Sequence, residues 1–600
     1  MTSTYDALEA VTAPEGAAAW RSLLAPFLAA KVLSPLDYRF ALALARVAPE
    51  PPADAVVLGA AAASAALTRG DICLELARAD ELLAPIDEEA AVETRPAWPA
   101  LDAWRAALSA SPLVSDGNVR APLVLDGDRL YLHRYFDYQR RLARALSERR
   151  GAVLAVDDAR LAATLERLFA SADPDPAQRI AAETAVRRGL TIISGGPGTG
   201  KTSTVVRILG ALLEADPNLR AVLVAPTGKA ATRLSESIRS QRAALDLPPA
   251  LAARIPEAAS TIHRSLGYRP QSPTRFAHDA EHPLAADVVV VDEASMVDLA
   301  IMTKLVEAVP RHARLIFLGD KDQLASVAAG HVLGDIAEAA EPGGPLADCF
   351  ALLTRSHRFS ETGGIGALAR AIKAGDEDAV VATLSARHPE IAWEDNDEAR
   401  LRELTVSGLA PLSRRFATPK AALDALPAFQ VLCAHRRGRW GAERFASEIR
   451  LWLVEAGQLT SHDEWYPGRP VIVLVNDHAQ DLWNGDTGLV LRDPDGLLRV
   501  HFPRSGEVPG EATRALSIAQ LPTHAAFYAT TIHKAQGSGF DHVVAVLPPD
   551  PSPVVTRELL YTAVTRARKK VTLMASEEVI RHAVRTRVQR ASGLGAALRG

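Results

Sequence analysis

A glycine-rich run at residues 195–202, Gly-Gly-Pro-Gly-Thr-Gly-Lys-Thr, constrains the fold of this chain more than any other feature. The run satisfies the Walker A pattern. Apolar residues typical of a buried strand come before it at 190–194, and a stretch with apolar residues at helical spacing follows it. A strand, a tight turn and a helix N-terminus together cradle phosphates with backbone N–H groups. A chance glycine-rich turn is the alternative, and it leaves the flanking strand and helix unexplained.

The residues of this run have distinct expected roles in binding a nucleotide. The Lys201 ammonium is expected to reach the β- and γ-phosphates, and the Thr202 hydroxyl is expected to bind Mg²⁺. ATP and Mg²⁺ are therefore the predicted cofactors. The predicted nucleotide-binding residues of the run are Gly195, Gly196, Pro197, Gly198, Thr199, Gly200, Lys201, Thr202 and Ser203.

Polar side chains follow two further apolar runs and are candidates for the hydrolytic chemistry. Four valines at 288–291 predict a strand buried on both faces, and Asp292 and Glu293 come directly after it. Open α/β sheets bind ligands at the carboxyl ends of their strands, so Asp292 is expected to hold Mg²⁺ and Glu293 to orient or deprotonate a water. Asp320 and Gln323 follow another strand and are candidates to sense the γ-phosphate. An acidic helix cap and a solvated turn are the respective alternatives.

The spacing of the apolar runs predicts a multi-domain α/β chain. Residues up to about 150 are rich in Ala and Leu at helical spacing, and residues 130–136 predict a short strand that passes into a basic helix. Apolar strands then alternate with amphipathic helices, which is typical of parallel sheets. These strands are expected at 190–194, 221–225, 287–291, 315–319, 429–434, 542–547 and 570–575. Alternating apolar residues at 469–476, followed by Asn484-Gly-Asp-Thr-Gly, predict a small β domain.

The predicted layout is a helical N-terminal domain at 1–145 and two α/β domains at 150–345 and 346–600. The small β insertion is expected at about 455–525. The N-terminal domain carries no ATPase motif, and its apolar stretch at 56–67 is expected to lie exposed, where it would suit burial against a partner protein. An ordinary helical domain packed on its own motor core is the alternative.

Composition excludes several classes of protein. The net charge of -5 gives no global signal of nucleic-acid binding, so any nucleic-acid groove must be local. The three cysteines, Cys73, Cys349 and Cys433, are too far apart for a disulfide framework or a zinc site, which predicts buried thiols. The first residues lack the basic start of a signal peptide, and a cytoplasmic location is expected.

The motifs beyond the ATPase signature occur in a specific order. They are GGPGTGKT, APTGKAATRL, STIHRSLG, VVVVDEASMVD, GDKDQL, SHRF, TIHKAQGSGFDHV and LLYTAVTRARKKVTL. This series resembles the superfamily 1 helicases, specifically the RecD branch. The N-terminal sequences at 70–74 and 131–135 and the tail at 589–594 resemble it too. The resemblance implies two RecA-like P-loop motor domains around an ATP cleft, an SH3-like fold for the β insertion, and 5′-to-3′ helicase activity.

The resemblance also implies roles for individual residues around the nucleotide. Gln178 matches the glutamine that reads the adenine edge, and Gln323 matches the γ-phosphate sensor. Arg358 and Arg566 match arginines that reach the γ-phosphate from the second motor domain. A planar, permanently charged guanidinium stabilises the charge that develops in phosphoryl transfer. Taken without the resemblance, Arg566 is better explained as part of a solvated basic face.

The implied DNA contacts fall on three short loops. Thr, His and Lys suit contacts to backbone phosphates that read no sequence. The implied contact residues are Pro226, Thr227, Lys229, Thr261, His263, Arg264, Thr531, His533 and Lys534. Residues 267–283 resemble the small hairpin with which family members part strands. One position departs from the family, which usually has an acidic residue where this chain has Gly539.

The resemblance implies partners as well as an activity. The length suits the shorter RecD, which acts with RecB-like and RecC-like subunits on single-stranded DNA and duplex ends, in a helicase-nuclease complex for recombinational repair. Three alternatives stay open: an interaction subunit with a vestigial ATPase, a nuclease in its own right, and an RNA helicase. The intact Lys201, Asp292, Glu293 and Arg566 argue against the first, and we find no carboxylate cluster typical of a nuclease outside the ATP site.

Overall fold

The computed structural model describes residues 17–84, 96–170, 175–243, 247–269, 271–272, 274–359, 363–414, 416–459, 463–477, 479–504 and 513–599. Its N-terminal domain is built around helices. The helices are α1 Ala17–Ala29, α2 Pro35–Arg46, α3 Asp54–Thr68, α4 Ala79–Leu82, α5 Leu101–Ser109 and α6 His133–Arg150, and the strands are β1 Leu74–Glu75, β2 Val114–Ser115, β3 Leu123–Asp126 and β4 Arg129–Leu132. The strands form a small sheet in the order β1-β4-β3-β2, which the sequence prediction of a helical domain did not include. The predicted passage from a strand into a basic helix is confirmed by β4 and α6.

Helix α3 is the core of this domain, so the prediction that residues 56–67 lie exposed is wrong. Every residue from Val56 to Ala66 is buried. Trp104 of α5 packs on the helix and donates a hydrogen bond from its indole N–H to the Ala55 carbonyl at 2.9 Å. A helix that is apolar on all its faces is stable only when it is enclosed on all of them, and here the domain itself encloses it.

The first α/β domain contains a six-stranded parallel sheet in the order β10-β5-β9-β8-β6-β7. Its helices are α7 Asp158–Leu168, α8 Pro176–Arg187, α9 Lys201–Ala215, α10 Gly228–Arg242, α11 Pro249–Ala252, α12 Ile262–Ser265, α13 Leu299–Ala308 and α14 Val332–Glu338, and its strands are β5 Leu190–Gly195, β6 Ala221–Ala225, β7 Ser260–Thr261, β8 Val288–Val291, β9 Arg314–Gly319 and β10 Phe350–Leu353. The four predicted strands of this half are confirmed. Strand β10 pairs with β5, so this domain extends past the predicted boundary at 345.

The second α/β domain contains a five-stranded sheet in the order β11-β20-β19-β12-β18, and all of its pairs are parallel. Its helices, together with the C-terminal helix α22, are α15 Gly364–Ala374, α16 Glu377–Ser385, α17 Glu398–Leu409, α18 Pro419–Ala425, α19 Ala442–Glu455, α20 Arg557–Arg566, α21 Glu577–Arg585 and α22 Leu594–Arg599. Its strands are β11 Ile391–Glu394, β12 Phe429–Cys433, β18 Ala529–Thr531, β19 Phe540–Val546 and β20 Ala567–Met574. The strands predicted at 429–434, 542–547 and 570–575 are confirmed.

A separate antiparallel sheet interrupts the second domain, as the sequence predicts. Its strands are β13 Pro470–Val473, β14 Thr487–Arg492, β15 Leu498–Pro503, β16 Thr513–Ser517 and β17 His524–Ala526. The sheet order is β16-β15-β14-β13-β17. The predicted turn lies between β13 and β14, where Gly485 has a positive φ of 95° that favours glycine.

The segment at 267–283 does not form a regular hairpin among its described residues. A single antiparallel bridge joins Tyr268 to Phe276. Residues 270 and 273 of the predicted hairpin lie outside the described residues. The part assigned to this segment in separating strands therefore stays a prediction.

Helix α6 fastens the N-terminal domain to the first α/β domain. It packs along α13, and Arg141 forms an ion pair with Glu307. The buried Arg149 guanidinium donates to the carbonyls of Pro310 at 3.2 Å and Ala313 at 3.1 Å, just beyond the C-terminus of α13, where the partial negative charge favours a cation. The N-terminal domain thus packs on its own motor core.

The C-terminal tail returns from the second domain and joins the same assembly. The Ile72 N–H donates to the Ala591 carbonyl at 2.8 Å, and the Ala591 N–H donates to the Asp71 carboxylate at 2.8 Å. Helix α22 packs against α6 and α14. Removing residues 1–145 would expose apolar surface on α13 and α22, so such a deletion is not a clean test of partner docking.

Two further observations concern the cysteines and membrane-spanning helices. Cys73, Cys349 and Cys433 are buried free thiols, as the sequence predicts. Across the part of the chain that the structure describes, we find no helix long and apolar enough to span a membrane.

Candidate nucleotide and nucleic-acid sites

The Walker A loop connects β5 to α9 and folds back on itself. Gly198 and Gly200 have φ angles of 81° and 82°, a region that side chains disfavour. A Cβ atom at Gly198 would lie 2.3 Å from the Arg358 Cβ atom. The Lys201 ammonium donates to the carbonyls of Gly195 and, at 3.1 Å, Gly196. These contacts hold the lysine within the loop that the helix N-terminus follows.

A cavity of about 630 Å³ lies between the two parallel sheets and contains most of the predicted nucleotide site. Its lining includes the Walker A residues from Pro197 to Ser203, together with Gln178, Asp292, Glu293, Gln323, Arg358 and Arg566. Gly195 and Gly196 do not line the cavity and instead receive the Lys201 ammonium. Residues that are up to 388 positions apart in the chain, between Gln178 and Arg566, therefore meet at one site.

The two carboxylates after β8 lie in this cleft beside Lys201. Burial raises the pKa of Asp292, the neighbouring Glu293 carboxylate adds to the rise, and the Lys201 ammonium opposes it. Glu293 has a φ of 50°, which is strained for a residue other than glycine. Strain of this kind costs on the order of 1 kcal/mol or more and persists where the surrounding structure enforces it. The strained backbone therefore fixes the position from which the Glu293 side chain extends.

A hydrogen-bonded group joins the two motor halves behind the phosphate loop. The Gln323 amide donates to the Asp320 carboxylate at 2.9 Å, and the Tyr561 hydroxyl of α20 donates to the same oxygen at 3.1 Å. A Cβ atom at Gly196 would lie 2.8 Å from the Tyr561 hydroxyl, so this side chain covers the loop. Burial raises the pKa of Asp320. Sequence reasoning missed Tyr561, although it lies inside one of the quoted motifs.

The two candidate arginine fingers come from different parts of the chain. Arg566 ends α20 and is buried, and it donates to the carbonyls of Thr562 and Ser538, each at 3.1 Å. Burial lowers the pKa of Arg566, and the carboxylate of Glu293 opposes that shift. Arg358 lies in the segment that leaves β10, beside Gly198. Arg358 therefore lies in the connection between β10 of the first sheet and α15 of the second domain, and its predicted origin in the second domain stays a prediction.

Gln178 contacts the phosphate loop directly. Its amide donates to the Thr199 carbonyl at 3.2 Å, and its oxygen accepts from Arg207 at 3.4 Å. The Arg207 guanidinium lies 5.1 Å from the centre of the Phe169 ring. Sequence reasoning missed Phe169, Arg207 and the cleft residue Arg233, because no motif marks the first two and the third was hidden inside APTGKAATRL.

The three threonines predicted to contact DNA share one local structure. The Thr227 hydroxyl accepts from the Ala230 N–H at 3.2 Å, and Thr261 accepts from the Arg264 N–H at 3.2 Å. Thr531 accepts from the Lys534 N–H at 3.3 Å. Each hydroxyl thus caps a turn that begins at or just after a strand end. Thr261 ends β7 and Thr531 ends β18, which are edge strands of the two parallel sheets.

A second cavity, of about 1020 Å³, separates the first domain from the β insertion. Lys229, Thr261 and Arg264 line it on one side, and Trp483 and Phe502 line it on the other. Pro226, Thr227, His263, Thr531, His533 and Lys534 do not line it. It therefore brings together only part of the predicted DNA-binding set.

Lys229 is less open than a phosphate contact would suggest. A Cβ atom at Gly228 would lie 2.6 Å from the Trp483 ring, so the β insertion covers the start of α10. Burial lowers the pKa of Lys229 to about 7, nearby Arg233 adds to the fall, and the Asp486 carboxylate opposes it. Sequence reasoning missed Trp483, since nothing in the chain links it to α10.

The two predicted histidines have different surroundings. His263 is exposed, and its ring centre lies 5.8 Å from that of Phe276. His533 is only partly exposed, whereas its neighbour Lys534 is exposed. Burial lowers the pKa of His533, and the neighbouring Arg590 adds to the fall.

Gly539 leaves room that an arginine occupies. A Cβ atom at this position would lie 3.2 Å from the Arg568 Nε atom. Arg568 lines both cavities, so the departure from the family lies between the nucleotide cleft and the second cavity.

Three families and several relatives match this chain. Residues 29–131 match the N-terminal domain of RecBCD enzyme subunit RecD, residues 178–329 match an AAA domain, and residues 526–574 match the UvrD-like helicase C-terminal domain. The RecBCD enzyme subunit RecD of Mycolicibacterium smegmatis is 40% identical over 96% of this chain and 99% of that protein. The subunit of the same name from Haemophilus influenzae is 33% identical over 94% of this chain and 97% of that protein. An ATP-dependent RecD2 DNA helicase of Deinococcus radiodurans is 34% identical over 64% of this chain and 46% of that protein.

Proposed function

This chain belongs to the RecD family, and we propose that it is an ATP-dependent DNA helicase that acts as the RecD subunit of a RecBCD complex. The proposal includes 5′-to-3′ movement and the processing of double-strand ends for recombinational repair. One observation carries it. Lys201, Asp292 and Glu293 of the first sheet share a cavity with Arg566 of the second. Motion between the two halves would therefore change the nucleotide site, and nucleotide chemistry would drive that motion.

We assign the ATP chemistry to residues that line the cleft. Lys201 binds the β- and γ-phosphates, Glu293 orients the attacking water, and Gln323 senses the γ-phosphate. Arg566 and Arg358 stabilise the charge that develops in the transition state. Gln178 binds the base end of the nucleotide. Its amide is already engaged with Thr199, so reading of the adenine edge requires that amide to reorient.

The cleft also offers donors of the kind that Mg²⁺ prefers. Thr202 provides a hydroxyl and Asp292 a carboxylate, and both line the cavity with Lys201. Mg²⁺ is bound by few carboxylates together with substrate phosphates, so this donor set fits. When bound, the ion neutralises charge on the β- and γ-phosphates. Among the residues that the structure describes, no cluster of three or more metal ligands offers a competing site.

We propose that the threonine-capped loops form the DNA track. They follow the carboxyl ends of β6 and β7 in the first sheet and of β18 in the second, so relative motion of the two halves would move one set of contacts past the other. Backbone contacts of this kind are independent of sequence, which suits a translocating motor. The segment at 267–283, which we propose parts the strands, lies directly after the second of these loops, the one that begins at Thr261.

Unwinding of tailed duplexes tests this function. The chain, alone or with partner subunits, is expected to unwind a duplex with a 5′ single-stranded tail and to leave one with a 3′ tail intact. Preference for the 3′ tail would contradict the polarity. Stronger ATPase stimulation by RNA than by DNA would favour an RNA helicase, and Mg²⁺-dependent cleavage of DNA by the isolated chain would favour a nuclease.

We propose RecB-like and RecC-like subunits as partners because the relatives are named as subunits of that complex. The N-terminal domain stays our proposed docking region, now without the support of an exposed α3. Point changes on its outer surface, such as Leu36→Asp at a side chain that is 64% exposed, are the appropriate test. Loss of the partners from the purified complex with intact ATPase is expected, and unchanged assembly after a set of such changes would place the interface on the motor domains.

A further inference from the structure

A third cavity, of about 710 Å³, lies between the N-terminal domain and the segment at 267–283. The loop 117–120 and helix α6 form one wall, and residues 274–275 form the other. Its lining is strongly basic and includes Arg120, Arg134, Arg140, Arg141, Arg275 and His133. We call this the basic cleft. Asp137 is the only carboxylate among its lining residues.

The charge of the basic cleft is not neutralised within the protein. Asp137 is engaged by Arg141, which also pairs with Glu307. Among the described residues, Arg120, Arg134, Arg140 and Arg275 form no ion pair with a carboxylate. Arg140 donates only to a backbone carbonyl, that of Gly117. Four exposed guanidinium groups without carboxylate partners give this cavity a positive potential, which favours an anionic ligand there.

His133 lines the basic cleft, and one of its ring nitrogens has no hydrogen-bond partner within the protein. The His133 Nδ1 atom makes no hydrogen bond and is shielded from solvent. Buried polar atoms without partners are rare in folded proteins, and they call for a specific explanation.

A chain of side-chain contacts leads from the basic cleft to a loop of the proposed DNA track. The Lys304 ammonium donates to the Thr274 carbonyl at 2.9 Å and lies 5.2 Å from the centre of the Phe276 ring. Phe276 packs on His263 of the track loop, and Tyr268, which is 41% exposed, packs on both. Cationic side chains interleaved with an exposed aromatic ring are typical of single-strand binding surfaces.

We propose that the basic cleft binds the sugar-phosphate backbone of a DNA strand next to the proposed DNA track. This inference rests on the proposed helicase function. The N-terminal domain then has a direct part in holding DNA, in addition to any part in subunit assembly. An acidic surface of a partner protein is the competing occupant. The aromatic surface that continues to His263 favours a nucleic acid, because bases stack on such rings.

A paired charge change tests the proposal in the full-length chain. Arg120→Gln/Arg275→Gln removes one arginine from each wall of the basic cleft. Arg39→Gln/Arg254→Gln is the matched control, because it removes two exposed arginines that do not line the cleft, one from each domain. Binding of fluorescent single-stranded oligonucleotides of increasing length is measured over a series of salt concentrations, beside thermal melting and DNA-stimulated ATPase.

The cleft variant is expected to bind long oligonucleotides more weakly, with a smaller salt dependence. Each lost phosphate contact lowers the slope of log K against log salt by about 0.7 for single strands, so two contacts give a change of about 1.4. The DNA concentration for half-maximal ATPase rises, while the maximal rate and the turnover without DNA stay unchanged. Short oligonucleotides that reach only the proposed DNA track should bind the cleft variant with unaltered affinity. The control variant should bind oligonucleotides of every length as the unaltered chain does.

Three outcomes would overturn the proposal. Unaltered affinity and salt slope in a folded cleft variant would show that no DNA binds there. Loss of partner subunits with unaltered DNA binding would identify an acidic protein surface as the occupant. Absence of any DNA binding by the unaltered chain would overturn the proposed helicase function and this inference with it. If the double variant has a lowered melting temperature, Arg120→Gln and Arg275→Gln are measured as single variants. Each is then expected to change the salt slope by about 0.7.

Discussion

Replacement of Arg566 separates a catalytic arginine from one that only holds the fold. Arg566→Ala removes hydrogen bonds to two buried carbonyls, those of Thr562 and Ser538, each at 3.1 Å. Hydrogen bonds to charged groups contribute about 1.5–3 kcal/mol each, and only part of that is recovered by relaxation. We therefore expect a loss of roughly 2–4 kcal/mol in stability, seen as a lower melting temperature.

The catalytic consequence is larger than the structural one. An arginine that stabilises the transition state contributes on the order of 10³-fold or more to kcat, while ATP binding changes little. ATP affinity by fluorescent-nucleotide titration and kcat by steady-state turnover are measured together, at a temperature well below melting. Arg566→Lys keeps the charge but lacks the fork that reaches both carbonyls, so an intermediate kcat is expected.

Arg581→Ala is the matched control for this experiment. Arg581 lies on α21 of the same domain and is partly exposed, with ion pairs to Glu577 and Asp378. Exposed pairs contribute little, so near-normal stability and turnover are expected. If Arg566→Ala destroys ATP affinity but leaves kcat for bound ATP unchanged, Arg566 binds the ground state and our assignment is wrong.

Three further changes test separate parts of the site. Gly198→Ala places a Cβ atom 2.3 Å from the Arg358 Cβ atom, at a position whose backbone φ is 81°, so ATP binding should be lost. An unchanged dissociation constant in a nucleotide titration would contradict the close contact. Tyr561→Phe removes the 3.1 Å hydrogen bond to Asp320 and should lower kcat about tenfold with DNA affinity intact, whereas normal turnover would remove Tyr561 from the coupling between the motor halves. Burial raises the pKa of Asp335 from 3.8 to about 7, so the folded state keeps a proton that the unfolded state releases, and stability falls as pH rises between those values. Asp335→Asn should therefore reduce the difference in melting temperature between about pH 5 and about pH 8, and an unchanged difference would show that this carboxyl titrates normally.

The sheets were predictable because their signals are local. A run such as Val288–Val291 has no stable place except a strand buried on both faces, and the carboxylates after it must then lie at the ligand-binding edge. The Walker A run fixed the turn in the same way. These features need no knowledge of what packs against them.

The errors concern packing between distant parts of the chain. Residues 56–67 have the same composition whether a partner or the rest of the domain covers them, and only the tertiary fold shows Trp104 on α3. The predicted boundary at 345 left out β10, which was not predicted as a strand, because its pairing with β5 spans about 160 residues. The contacts of Tyr561 with Asp320 and of Trp483 with α10 were missed for the same reason.

ATP turnover by the purified chain, with and without single-stranded DNA and in parallel with Lys201→Gln, tests the central claim most directly. The account predicts turnover that rises with DNA and that falls by about 10²-fold or more in the variant, because a single ammonium faces the β- and γ-phosphates. Circular dichroism and melting should show the same fold in both proteins. Turnover that ignores DNA, or near-normal DNA-stimulated turnover in a folded Lys201→Gln protein, would contradict it.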